Sequence, residues 1–164
     1  MKLPAGVSVA IAECLAIGPA DILATAQKVR GETTMNDLLV ELEAAELVTT
    51  FEWDEEPDTI REQLEALRPF PSAMSWHWYD DFLNRAEDFD AAEAVEHFLG
   101  LVGTHSLKSG TATVWIDTGN DSYAIGFARK NSQQLKNARP WVTVVRRSTI
   151  AHRFDLRRFA SLFR

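Results

Sequence analysis

Hydrophobic and polar positions alternate along this chain with a helical period through its first hundred residues and a strand period soon after. Val7 to Ile17 and Ala20 to Arg30 read as two short helices separated by Gly18-Pro19, with Gly31 stopping the second. From about Asn36 to Glu46, Leu38, Leu39, Leu42 and Ala45 recur at helical spacing. The β-branched run Leu47 to Trp53 suits a strand. Pro57 then opens a helix with Ile60, Leu64 and Leu67 on one face, and Pro69 and Pro71 end it.

Ser75 is placed to cap a helix carrying Trp76, Tyr79, Phe82 and Leu83 on one side, and Asp90 to cap the next, with Val95, Phe98, Leu99 and Val102 as its buried stripe. Thr104 to Gly110 reads as a loop. Strands follow at Thr111 to Asp117 and Ser122 to Arg129, then a short helix near Ser132 to Ala138 and a strand at Trp141 to Arg146. From about Asp155 an amphipathic helix closes the chain, with Leu156, Phe159, Ala160 and Phe163 on one side. Helices come first and strands cluster later, the segregation of an α+β fold. The expected architecture is a single domain, 1–164, with N-terminal helices packed on a small C-terminal antiparallel sheet and a closing amphipathic helix. In the second strand of the hairpin, Ala124, Gly126 and Ala128 oppose Tyr123, Ile125 and Phe127. One sheet face should therefore admit a close neighbour while the other inserts bulk into a core.

Length agrees with this picture, since 164 residues suffice to bury a core without disulfide or cofactor, and no cofactor is expected. The single cysteine, Cys14, has no internal partner, which points to a reducing compartment and a buried small hydrophobe. Lys2 and the apolar run Leu3 to Ile17 have the outline of a signal peptide, but Glu13 interrupts the run and it is short for a membrane span. A core helix, a cytoplasmic location and no membrane association are expected.

Charge changes the picture more. Residues 1–100 hold 21 Asp and Glu against 6 Lys and Arg, whereas residues 101–164 hold 3 against 11, within a net charge of −7. Either the two parts attract each other, or an acidic surface faces a basic partner. The basic C-terminal residues Arg146, Arg147, Arg153, Arg157, Arg158 and Arg164 suit phosphates in type, but the acidic whole disfavours nucleic acid.

Candidate chemistry is sparse. Asp117-Thr118-Gly119 matches the aspartic-protease tripeptide, yet it occurs once, and a polar hairpin turn explains the same letters. His77 with Asp80 or Asp81, and Glu93 with His97, have helix-face spacing for metal ligands but match no metal motif, so no metal site is assigned. Gly-x-Ser-x-Gly, Walker and Gly-x-Gly-x-x-Gly motifs are absent.

The hairpin Val114 to Ile125, with Asp117-Thr118-Gly119-Asn120-Asp121-Ser122-Tyr123 as its most specific element, follows Phe51-Glu52-Trp53-Asp54 and a helix. Together they resemble a bacterial family of uncharacterised proteins classed only as a domain of unknown function, over about residues 47–145. The resemblance implies a bacterial cytoplasmic protein and supports the hairpin; it carries no catalytic residue. The chain departs from that pattern after Phe127, where the basic stretch is unusual.

Two functional expectations follow. The favoured one is a non-catalytic regulatory or immunity-like interaction module, whose acidic surface of Glu52, Asp54, Glu55, Glu56, Asp58, Asp80 and Asp81 engages a basic protein. The alternative is a small-molecule-binding protein or hydrolase. It would need Asp117, Asp121 and Ser122 beside His77 or Asp80, in a pocket lined by Trp53, Trp76 and Trp78. Convergence of those groups in one concave site separates the two.

Overall fold

In the computed structural model, the structure describes residues 2–4, 6–18, 31, 33–139 and 141–147. The helix expected at Ala20 to Arg30 and the closing helix from Asp155 lie outside the described residues. Within them the fold is α+β, with six helices and a four-stranded antiparallel sheet. The chain runs α1 (Val7–Leu15), α2 (Met35–Ala44), β1 (Val48–Glu52), α3 (Pro57–Glu65), α4 (Tyr79–Ala86), α5 (Ala91–Lys108), β2 (Thr111–Ile116), β3 (Ser122–Arg129), α6 (Gln133–Ala138) and β4 (Val142–Val144).

Local chemistry sets most boundaries. Thr34 and Asp37 form a reciprocal capping box at α2, and Asp90 and Glu93 form another at α5. Pro57 occupies the first turn of α3, where its missing N–H is harmless. Ser132 accepts the Leu135 N–H at 3.1 Å and starts α6.

Sheet order is β1-β3-β2-β4, so the hairpin strands lie in the middle and β1, from the first half of the chain, forms one edge. The register pairs Val48 with Gly126 and Glu52 with Ser122, and pairs Val114 with both Gly126 and Val144. Strand alternation sends Val48, Ala112, Val114, Ile116, Ala124, Ala128 and Val142 into a core with residues of α1, α2 and α6. Phe51, Trp115, Tyr123, Ile125 and Phe127 enter a second, aromatic-rich core with α3, α4 and α5. Helices therefore cover both sheet faces.

The expected division of β3 into a small and a bulky face holds. A Cβ at Gly126 would stand 2.8 Å from Leu15 Cδ2 and 2.9 Å from the Leu47 carbonyl oxygen, so the missing side chain lets α1 and β1 approach. On the other face, Phe98 is fully buried among Trp76, Trp78, Tyr79 and Phe82, with ring centroids 5.4 to 6.0 Å away. Such aromatic pairs contribute about 0.5–1.5 kcal/mol each beyond area burial.

Three local expectations change. Thr104 to Gly110 is not a loop, because α5 continues to Lys108. Ser106 packs inward there, bonding the Gly103 carbonyl at 3.1 Å and Thr113 Oγ1 on β2 at 2.8 Å, so a buried polar pair replaces the apolar residue that periodicity seeks. Ser75 does not cap α4, which begins at Tyr79 behind Trp78; its hydroxyl instead meets the His77 N–H at 3.2 Å and His77 Nδ1 at 2.9 Å. Leu83, expected on the apolar stripe, is 37% exposed.

Candidate functional site

β1 ends in a turn built almost entirely of acids. Glu55 donates its N–H to the Glu52 carbonyl at 3.2 Å, and Glu56 donates to the Glu55 carboxylate at 2.9 Å, which folds Glu52-Trp53-Asp54-Glu55-Glu56 back toward α3. Glu52, Asp54, Glu56 and Asp58 are exposed and Glu55 is half-buried. Trp53, among them, is 44% exposed. Asp58 lies in the first turn of α3, and Asp80 and Asp81 lie in the first turn of α4, where the helix dipole favours negative charge.

One contact joins these two acidic helix starts. The Tyr79 hydroxyl donates to Asp58 Oδ1. Burial, then the bond to Asp58 and the negative charge of that carboxylate, push the Tyr79 phenol upward, so it remains a protonated donor. Arg61 stacks its guanidinium 4.9 Å from the Trp76 ring centroid and 4.8 Å from that of Tyr79, and bonds Glu65 at 3.1 Å. The cation nearest this link is thus engaged by aromatic rings and its own helix neighbour.

The hairpin turn is organised for its own closure. Asp117 Oδ1 accepts the Gly119 N–H at 3.0 Å, and Asn120 Oδ1 accepts from Thr118 Oγ1 at 2.7 Å, Ser122 N at 2.9 Å and Ser122 Oγ at 2.6 Å. Gly119 has φ +73°, the left-handed conformation the turn requires. Asp117 and Asp121 are both exposed.

His77 stands two residues before the start of α4. Its ring meets His105 edge-on at 5.9 Å, and His105 stacks flat on Trp78 at 4.9 Å in the last turn of α5. That end of α5 is level with Thr113 through the Ser106 bond, whereas Glu96, near its start, accepts from Tyr123 beside the hairpin turn at 3.2 Å. From Thr113 to Asp117 is about 13 Å of strand. The structure therefore sets the Tyr79 hydroxyl on Asp58 and the His77 ring on His105, with Trp78 touching both Tyr79 and His105, and it leaves Asp117 and Asp121 in the hairpin turn, toward the Glu96 end of α5 and away from its His105 end. Trp76 and Trp78 are 5.2 Å apart in the aromatic core, while Trp53 makes none of these ring contacts.

Glu93 serves the α5 cap, and His97 stacks on Phe89 at 4.4 Å. Among the described residues no group of three or more His, Cys, Asp or Glu is placed to hold a metal ion, and no helix is long and apolar enough to cross a membrane. Arg146 and Arg147 are exposed after β4; Arg153, Arg157, Arg158 and Arg164 lie outside the described residues. The Asp58–Tyr79 link and the Arg61 stack escaped sequence reading because the partners are 21 and 15 to 18 positions apart, beyond any helix period.

These features define an α+β protein whose acids gather where one strand and two helices meet. The chain belongs to the family described as a domain of unknown function (DUF6630), whose model matches residues 12–138. The match begins well before the segment whose hairpin first suggested such a family. No curated protein matches the chain, and no solved structure does.

Proposed function

We propose that this protein is a non-catalytic interaction module of the bacterial cytoplasm, regulatory or immunity-like, that binds a basic protein through the acids around the β1–α3 turn and the start of α4. The observation that carries the reading is the turn itself. Glu52, Asp54 and Glu56 surround an exposed Trp53, and the Tyr79–Asp58 bond joins this stretch to the helix start that presents Asp80 and Asp81. Exposed acids accelerate encounter with a basic surface, and a tryptophan among them supplies the kind of large anchor that dominates binding energy.

The test is affinity capture from the source cells, followed by kinetics with the purified partner. Association should slow by at least about tenfold between low and physiological salt, and a triple variant, Glu52→Lys, Asp54→Lys and Asp81→Lys, should lose it. All three side chains are exposed, so the variant should fold. Unchanged binding by that variant, or failure to recover any salt-sensitive partner, would sink the proposal.

A further inference from the structure

We infer that the outer edge of β1, from Thr50 to Trp53, docks an extended basic segment of the partner, which adds to the sheet as a short fifth strand. The inference rests on the interaction reading above and specifies the shape and chemistry of what is bound. β1 is an edge strand, paired on one side by β3.

Which backbone groups face outward follows from the ladder. Lys130 donates its N–H to the Gly110 carbonyl at 3.1 Å, so the residues of β3 that bond β2 are Ala128, Gly126 and Ala124. Val145 N–H to the Thr113 carbonyl, 2.8 Å, gives the same alternation from the other side of β2. Tyr123 and Ile125 therefore bond β1, and they face Phe51 and Thr49. Val48, Thr50 and Glu52 turn their peptide groups away from the sheet.

The near end of this edge is closed. Arg68 donates its N–H to the Glu46 carbonyl at 3.0 Å and its Nη1 to the Ala45 carbonyl at 3.3 Å, and Val48 is 2% exposed. Beyond it the edge opens. Thr50 is half-buried, Glu52 is exposed, and among the described residues no backbone bond reaches Thr50 N–H, Thr50 C=O or Glu52 N–H from outside the sheet. Unpaired edge groups of this kind are a template for strand addition.

Charge selects the occupant. Glu43, Glu52 and Asp54 lie beside the opening, beyond the Arg68 that closes its near end, and the Glu43 carboxylate reaches it by accepting from the Thr50 hydroxyl. Two copies of this chain meeting edge to edge would bring these acids together, which opposes self-pairing. An extended segment with Lys or Arg at alternate positions meets them favourably, and the exposed face of Trp53 can take one of those cations.

The probe is an acetylated peptide of alternating lysine and valine, compared with the same peptide N-methylated at every residue, which keeps charge but has no N–H on either edge to pair as a strand. With the unmodified peptide at low salt, the Thr50 and Glu52 amides should gain protection from hydrogen exchange. The methylated peptide should bind at least about tenfold more weakly, the equivalent of one or two lost hydrogen bonds. Thr50→Pro, which removes an outward N–H and no bond to β3, should weaken the unmodified peptide similarly, with thermal melting confirming its fold. Equal binding of both peptides without protection at Thr50 and Glu52 would overturn the strand inference and leave the acidic surface standing. Binding by neither would overturn both.

Discussion

His105 shows how one residue reports on its surroundings. Its ring lies flat on Trp78, and burial, then the charges of Lys108 and His77, hold its pKa below the ordinary 6.5. In the unfolded chain the ring takes a proton near the ordinary value, while in the folded protein it waits for lower pH. Its contribution to stability is therefore complete above about pH 6.5 and is lost as pH falls through that value toward the folded one. His105→Phe keeps a ring against Trp78 and removes the titration. Thermal melting across this range should give a flatter pH dependence for the variant than for the natural protein; parallel profiles would contradict the assignment. Cys14 behaves in the opposite sense, since burial alone pushes its thiol up to about 12. It is a packed hydrophobe at neutral pH, as its apolar sequence setting implied.

At the level of elements, helix starts were legible because capping is local. Asp90 and Glu93 exchange bonds of 2.9 and 3.4 Å across three positions, a pattern visible in the letters themselves. Asp90→Ala should cost about 1 kcal/mol, and for a domain of this size a melting temperature lower by about 2–4 °C would register it. The hairpin was legible for the same reason, since its turn is closed by side chains within four residues of one another. Element ends, and a helix start without a side-chain cap, were less so. The final turn of α5 was missed because Ser106 is satisfied by Thr113 across a tertiary contact, and the start of α4 was misplaced because Ser75 bonds His77 instead of the helix. In both cases a polar residue found a partner that periodicity does not register.

Across the whole molecule, the sheet separates two cores that share no side chain among the described residues, one with α1, α2 and α6 and one with α3, α4 and α5. Ile11 and Ile60 are fully buried in the first and second of these. Ile11→Val and Ile60→Val should each cost about 0.5–1.5 kcal/mol, and the double variant their sum within about 0.5 kcal/mol, in one denaturation transition. Two separate transitions would show the layers to be independent units. The sequence by itself determined what neighbouring residues settle among themselves: the α+β class, the hairpin and its turn, the capped helices, the small and bulky faces of β3 and the imbalance of charge. Tertiary structure alone decided that β1 returns to pair with β3 about 75 residues later, that helices cover both faces of the sheet, and that Asp58 meets Tyr79. Local order is written in the spacing of residues, because turns and caps close over a few bonds of chain. Long-range pairing depends on which buried surfaces fit once the chain has collapsed, and no single stretch of sequence contains both partners.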